Sequence, residues 1–329
     1  MKATQVAAPG ELSVVDCPEP ELVDDHVRLA PITATLSGRN VRHVYDSPAE
    51  AYPLGAGSSA HELVGKVIDA RYTARQWRAF EADEIVMAYV AEPLGLAETV
   101  VVPNGQLYWL PPTENPDLQI VPAARQLGQI IEACNSFPPL VTGSVAVVGQ
   151  GGTGLLFDQM LQRMGAASIV AVDLLAGRRD AASRFGATLA LDGARPPFEL
   201  ADEVRAANGG ALVDVVIETA GNPEALSIAT ELVAPEGLLH VYGAPNTNLM
   251  QFDVGGLAAR RYTVRASGAG FGGVNPFWSS YGNAMNLVLR NEVEIKSLIS
   301  HRFSLERASE AFALARSGDD GALKVAIDF

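Results

Sequence analysis

Apolar and polar positions alternate along this chain with two different periods. From Val145 to Val148 an unbroken apolar run is short enough to be a strand buried on both faces. After a glycine-rich turn, Leu156, Met160 and Met164 recur at helical spacing, and Gly165 closes that helix. A second buried run, Ile169 to Val172, follows. The alternation continues with a helix from Arg178 to Phe185, strands Thr188 to Leu191 and Val213 to Glu218, a helix Pro223 to Leu232, and a strand Leu238 to Tyr242. Strands and helices in this succession predict an α/β fold built on a doubly wound parallel sheet. Upstream the pattern changes to short runs broken by Pro and Gly: Val27 to Ala30, Val64 to Ile68, Ile85 to Val90 and Thr99 to Val102. These predict an irregular antiparallel β domain, with the charged stretch Ala70 to Glu84 as a surface excursion. A helix then starts near Pro122 and buries Leu127, Ile130, Ile131 and Cys134, which leaves Arg125 off its apolar stripe and facing a cleft. The tail carries helices near Asn283 to Arg290 and Leu305 to Arg316 and a last apolar strand, Leu323 to Ile327.

The turn between the first two central strands adds chemistry. Gly149, Gly151 and Gly154 have the G-x-G-x-x-G spacing, with Gly152 and Thr153 inside it. The first glycine permits the tight turn, the second lets backbone approach a pyrophosphate, and the third lets helix and strand pack closely. Asp173 ends the next strand 19 residues past Gly154, where an acidic side chain accepts hydrogen bonds from ribose hydroxyls. Together these predict a dinucleotide site. Asp173 repels a 2′-phosphate and favours NAD over NADP, while Arg178 and Arg179 just beyond it offer the only local argument for NADP. Ala220 and Gly243 sit at the ends of later strands, the edge where a nicotinamide is expected.

Charge narrows the partners. With 38 acidic and 24 basic residues the net charge is −14, which disfavours nucleic acid. No segment has the length and apolarity of a membrane span or the pattern of a signal peptide, so a cytoplasmic protein acting on a small molecule is expected. Cys17 and Cys134 are too few and too far apart for a disulfide framework or a cysteine-built zinc site.

The β domain in front, GQGGTG in the middle, AHELVGKV at Ala60 to Val67, ETAG at Glu218 to Gly221, VYGAP, SGAGFGG and ISHRFSLERASEAFALA resemble the medium-chain dehydrogenase/reductase family, particularly zinc-type alcohol and polyol dehydrogenases. The resemblance implies a GroES-like catalytic domain over residues 1–124, a Rossmann domain over 125–268, and a segment 269–329 that returns to the catalytic domain. Gly270 and Phe271 join the cofactor set on the same ground. It also implies a homodimer paired through the strand Tyr262 to Ala266.

The family's catalytic zinc sits on a Cys, the His of G-H-E and a later Glu or Cys. Here Ser37 stands at the first position and Arg125 at the later one, leaving His61 and Glu62. A guanidinium repels Zn²⁺ and a serine offers no thiolate, so no zinc is expected. The family's proton relay reads here as Arg39, Asn40 and Arg42, with His43 one place late. The expected activity is a zinc-independent hydride transfer to or from an alcohol/carbonyl pair. Arg125, Arg39 or Ser37 would take over oxyanion stabilisation and His61 or His43 would manage the proton. Two other readings stay open: quinone- or enoyl-type C=C reduction, suggested by Gly38 to Val41, and a non-catalytic nucleotide-binding protein. A structural ion pair between Glu62 and Arg125 is the plainer role for those two residues.

Overall fold

A computed structural model describes residues 1–73, 78–90, 95–110, 117–244, 250–267 and 277–329, without the side chains of 277–279. In chain order the elements are β1 (Lys2–Val6), β2 (Leu12–Asp16), β3 (His26–Thr35), α1 (Gly38–Tyr45), β4 (Glu62–Arg71), β5 (Ile85–Tyr89), β6 (Val100–Pro103), β7 (Leu107–Trp109) and α2 (Val121–Cys134). There follow β8 (Ser144–Val148), α3 (Gly152–Arg163), β9 (Ser168–Asp173), α4 (Ala176–Arg184), β10 (Leu189–Asp192), α5 (Pro197–Ala207), β11 (Val213–Glu218), α6 (Pro223–Leu232) and β12 (Val233–Val241). The last are α7 (Val254–Arg260), β13 (Thr263–Ala266), α8 (Phe277–Leu289), β14 (Ile299–Ser304), α9 (Ala308–Ser317) and β15 (Lys324–Asp328).

The chain divides into two units. Leu127–Ser280 with Arg290–Val293 forms one of them. Its six strands lie in the order β10-β9-β8-β11-β12-β13, and every neighbouring pair is parallel. This order reverses between β8 and β11, the point at which doubly wound sheets bind nucleotides beyond the strands' carboxyl ends. All five residues of β8 are buried, as an apolar run covered on both faces requires. Asn222 caps α6 through Ala225 N, and Pro223 fills its first turn.

The other unit comprises Met1–Gln126, Tyr281–Leu289 and Glu294–Phe329. Its sheet runs β14-β15-β3-β4-β5-β7, with β6 also on β3, and β1 pairs separately with β2. The sheet is mixed rather than wholly antiparallel, because β14 and β15 run parallel with α9 packed on both. This register builds the site: Ala326 faces Thr35, Thr35 faces Glu62, and Glu62 faces Tyr89. Paired residues share a face and so do residues two apart, so Lys324 of β15 falls on the same side as Thr35, Glu62 and Tyr89.

Several elements differ from expectation. Helix α5 was not anticipated: only Leu200, Ala201 and Val204 of its charged sequence are buried, a stripe too narrow to announce itself. Strand β12 starts at Val233, five residues early, although Pro235 and Gly237 read as a turn. Helix α8 starts at Phe277, inside a stretch that reads as loop. The segment after β4 is not all surface, for Phe80 is 3% exposed and its N–H donates to the Tyr72 hydroxyl; residues 74–77 lie outside the description.

Candidate active site

In the parallel-sheet unit the glycine turn is held by backbone geometry. Gly149 has φ +99°, and a Cβ there would lie 2.7 Å from Thr219 Oγ1. A Cβ on Gly154 would lie 2.0 Å from the Gly149 carbonyl oxygen, which forces a hydrogen at that position. A Cβ on Gly151 would meet nothing within 4 Å, so the turn is open on the side where a pyrophosphate would approach. Gly151 caps α3, whose helical residues begin with Gly152, Thr153 and Gly154, and the helix's first amides form an anion-binding end. Asp173 ends β9 beside this turn: its Oδ2 accepts from Gln150 N at 2.7 Å and its Oδ1 from Leu175 N at 2.9 Å. Arg178 lies 3.9 Å from the Asp173 carboxylate. Arg179 is directed elsewhere, to the carbonyls of Asp173 and Leu174 and to Asp192 at 3.4 Å. Beyond β11, Glu218 Oε1 accepts from the N–H groups of Ala220 and Gly221, and a Cβ on Gly243 would lie 2.4 Å from Gly221 N. Ala220 and Gly243 therefore belong to one tight strand-end crossing. Gly270 and Phe271 lie outside the described residues.

Two buried polar residues behind the turn were missed by sequence reading. Gln150 turns inward, its amide donating to Val147 O at 3.0 Å. Asp158, on α3, is fully buried, and neither carboxylate oxygen has a hydrogen-bond partner among the described residues. Burial pushes the Asp158 carboxyl well above the usual range; Gln150 opposes this as the smaller effect, its amide already being engaged.

In the mixed-sheet unit, the polar residues of β4, β5, α2 and β15 form one cluster. Arg125 is 6% exposed, buried rather than open to a cleft. Its Nη1 lies 3.4 Å from Glu62 Oε1, and its guanidinium lies 3.5 Å from the Tyr89 ring centroid. His61 stacks on the same tyrosine at 6.0 Å between centroids, and its Nδ1 lies 2.8 Å from Val90 O. A carbonyl only accepts, so Nδ1 carries the proton and Nε2 is the acceptor. Burial pulls the His61 pKa down to about 4, against the hydrogen bond to Val90 and with the help of the Arg39 charge. Burial and Arg39 likewise lower that of His43, which sits beside Ser47. Arg39 itself is exposed and reaches the Tyr89 hydroxyl at 3.4 Å. Lys324, 4% exposed, donates to Gln126 Oε1 at 3.1 Å. Burial lowers its pKa while the Glu62 charge raises it.

Tyr89, Gln126 and Lys324 were not singled out from sequence. For Lys324 a signal existed: a lone charge at the head of an apolar strand. Ser37 and Asn40 serve the backbone instead. Ser37 N and Oγ donate to Asn40 Oδ1 at 2.8 and 2.7 Å, and Asn40 N donates back to Ser37 Oγ, a capping box on α1.

Zinc does not fit this cluster. At the positions where a thiolate and a carboxylate belong stand a hydroxyl engaged in a cap and a buried guanidinium. Among the described residues, no group of three or more His, Cys, Asp or Glu could hold a metal ion. A dinucleotide does fit the other unit, whose turn leaves Gly151 open and sets a fixed acid beside it.

The described fold joins one parallel six-stranded Rossmann-like sheet and one mixed GroES-like sheet. Residues 152–290 match the zinc-binding dehydrogenase family. The chain is 29% identical over 233 residues to L-threonine 3-dehydrogenase of Saccharopolyspora erythraea, covering 71% of this chain and 64% of that one. It is 28% identical over 184 residues to sorbitol dehydrogenase of Bacillus subtilis, covering 56% and 50%. The aligned part thus spans less than two thirds of these relatives' lengths. Among solved structures, galactitol-1-phosphate dehydrogenase from Escherichia coli has a TM-score of 0.80 at 21% identity with 100% of both chains covered. Alcohol dehydrogenase from Thermus sp. ATN1 has a TM-score of 0.79 at 21% identity, covering 100% of this chain and 99% of that one. The chain shares the fold of these zinc-type alcohol-dehydrogenase-like structures over its whole length.

Proposed function

We propose that this chain is a zinc-independent, NAD-dependent oxidoreductase acting on a small or medium alcohol/carbonyl pair. The observation that carries this reading is Arg125, a cation lodged between Glu62 and Tyr89 where a metal enzyme needs a ligand. Bound NAD supplies the hydride chemistry. The turn from Gly149 to Gly154 holds its pyrophosphate, Asp173 its ribose, and the Ala220 and Gly243 strand ends its nicotinamide half. Arg178, 3.9 Å from Asp173, offsets part of that charge, and the acid decides in favour of NAD.

In the other unit, Arg125 stabilises negative charge that develops on the substrate oxygen, an effect worth about 3–4 kcal/mol for one well-placed donor. His61, neutral at pH 7 with Nε2 as acceptor, is the base that receives the proton leaving the site. The threonine and sorbitol dehydrogenases it resembles support a hydroxyl substrate.

The protein works as a homodimer: β13 is an edge strand with all four residues exposed, Val264 at 41%, and pairing with a second copy would cover it. A cytoplasmic location is supported by two free thiols, Cys17 and Cys134. Among the described residues no helix is long and apolar enough to cross a membrane. The −14 net charge favours a small-molecule substrate over nucleic acid.

Elemental analysis of the purified protein, with NADH oxidation assayed over aldehydes and ketones before and after chelation, tests the reading. Turnover without zinc and indifferent to chelator is expected. Stoichiometric zinc, with activity lost to a chelator and restored by the metal, overturns it.

A further inference from the structure

The polar cluster of the mixed-sheet unit is out of balance. Arg39, Arg125 and Lys324 bring three basic groups together, and among the described residues Glu62 is the one carboxylate set with them. Glu62 meets Arg125 directly, and Lys324 has the neutral Gln126 amide as its hydrogen-bond partner. Arg39 has no carboxylate within 4.0 Å among the described residues, and it reaches only the Tyr89 hydroxyl, at 3.4 Å. Even with Lys324 uncharged, Arg39 is unmatched among the described residues. The excess is the more telling in a chain of net charge −14.

A second imbalance has the opposite sense. Glu62 Oε2 is buried and has no hydrogen-bond partner among the described residues, although the residue is 6% exposed. A buried carboxylate oxygen in that state calls for a donor. Tyr89 links the two: its hydroxyl meets Arg39, and its ring face carries the guanidinium that holds Glu62. One end of this arrangement lacks an anion and the other lacks a hydroxyl.

We infer that the substrate is a hydroxycarboxylate, with its carboxylate on Arg39 beside Tyr89 and a hydroxyl donating to Glu62 Oε2. Arg39 presents a planar fork that matches a carboxylate in two parallel hydrogen bonds, which a point charge cannot do. A neutral polyol satisfies Glu62 and leaves Arg39 unmatched. A simple monocarboxylate does the reverse. Only a molecule carrying both groups completes the cluster. Arg39 is a substrate-binding residue here, and Tyr89 a positioning residue that fixes both guanidinium groups.

This inference rests on the oxidoreductase reading, and matched pairs separate the two. Calorimetry in the presence of NADH measures binding, and NAD reduction measures turnover, for both enantiomers of lactate against both of 1,2-propanediol, and for D-gluconate against D-glucitol. Each pair differs in a carboxylate against a CH₂OH group. A preference of about 10- to 100-fold for the carboxylate member is expected in at least one pair, the worth of a charge-assisted contact. Arg39→Gln, at an exposed position, should abolish that preference by raising KM for the carboxylate member, with NADH affinity unchanged. Neutral diols oxidised while carboxylates are rejected, or a preference that survives Arg39→Gln, overturns the substrate class and leaves the oxidoreductase reading standing. Carboxylates bound through Arg39 but never oxidised overturn that reading and keep the site. Binding of neither member of either pair overturns the inference.

Discussion

Replacing Arg125 by methionine removes one half of a buried ion pair and leaves the other half in place. Glu62 is 6% exposed, so its charge would be left in a medium where unpaired carboxylates are costly. Breaking a buried pair from one side typically costs about 3–5 kcal/mol. Lys324 still acts on Glu62 electrostatically after the substitution, which puts the expected loss near the lower end, about 3 kcal/mol. For a unit of this size that is roughly a 6–12 °C drop in melting temperature. Adding Glu62→Gln removes the stranded charge. The double variant should then recover about half of the loss and retain only the cost of the missing guanidinium on the Tyr89 ring, about 1–2 kcal/mol. Thermal and urea unfolding of the wild type, both single variants and the double variant close the cycle. A loss below about 1 kcal/mol for Arg125→Met, or a double variant no more stable than that single one, would refute the view that this pair stabilises the unit without a metal.

Gly151→Ala and Gly154→Ala should behave oppositely. The first meets open space and should keep wild-type stability while weakening NADH binding. The second drives a methyl to 2.0 Å from the Gly149 carbonyl oxygen and should lower stability by about 1–3 kcal/mol as well, both read by thermal shift with and without NADH. Asp158 binds its proton more tightly folded than unfolded, so its contribution makes stability fall as pH rises above the ordinary aspartate pKa of 3.8. Asp158→Asn should therefore gain on the wild type progressively from pH 4 upward in urea titrations; a difference that stays flat to pH 8 contradicts this. Light scattering at micromolar concentration should give a dimer mass, and Val264→Lys on β13 should shift it toward the monomer.

What could be read from sequence was local chemistry. The turn, α3 and the Asp173 strand occupy one continuous stretch; Gly149 and Gly154 are required by contacts within it or with the next strand ends, and Gly151 faces open space. The cluster around Glu62 was half legible. His61, Glu62 and Arg125 could be placed by motif, and the structure has Glu62 and Arg125 as an ion pair. Tyr89 and Lys324 join through strand register, β15 on β3, β3 on β4 and β4 on β5, and no periodicity along a single strand states which residue will face it across the sheet. Ser37 and Asn40 looked like chemistry because they occupy a catalytic stretch, yet a Ser three residues ahead of an amide side chain at a helix start is also a cap. Helix α5 escaped because its buried face is three residues wide.

Asp173 bears on attempts to re-engineer cofactor preference. Its carboxylate already holds Gln150 N and Leu175 N, one oxygen each, so the acid proposed to hold the ribose is also a strut of the glycine turn. Replacing it with alanine to admit a 2′-phosphate would remove the repulsion and the strut together, loosening the turn for either nucleotide. Asparagine keeps one acceptor for the turn while discarding the charge, and with Arg178 already 3.9 Å away the newcomer would find its counter-ion waiting. A redesign for NADP therefore has to begin from the scaffolding of the turn, with the charge changed second.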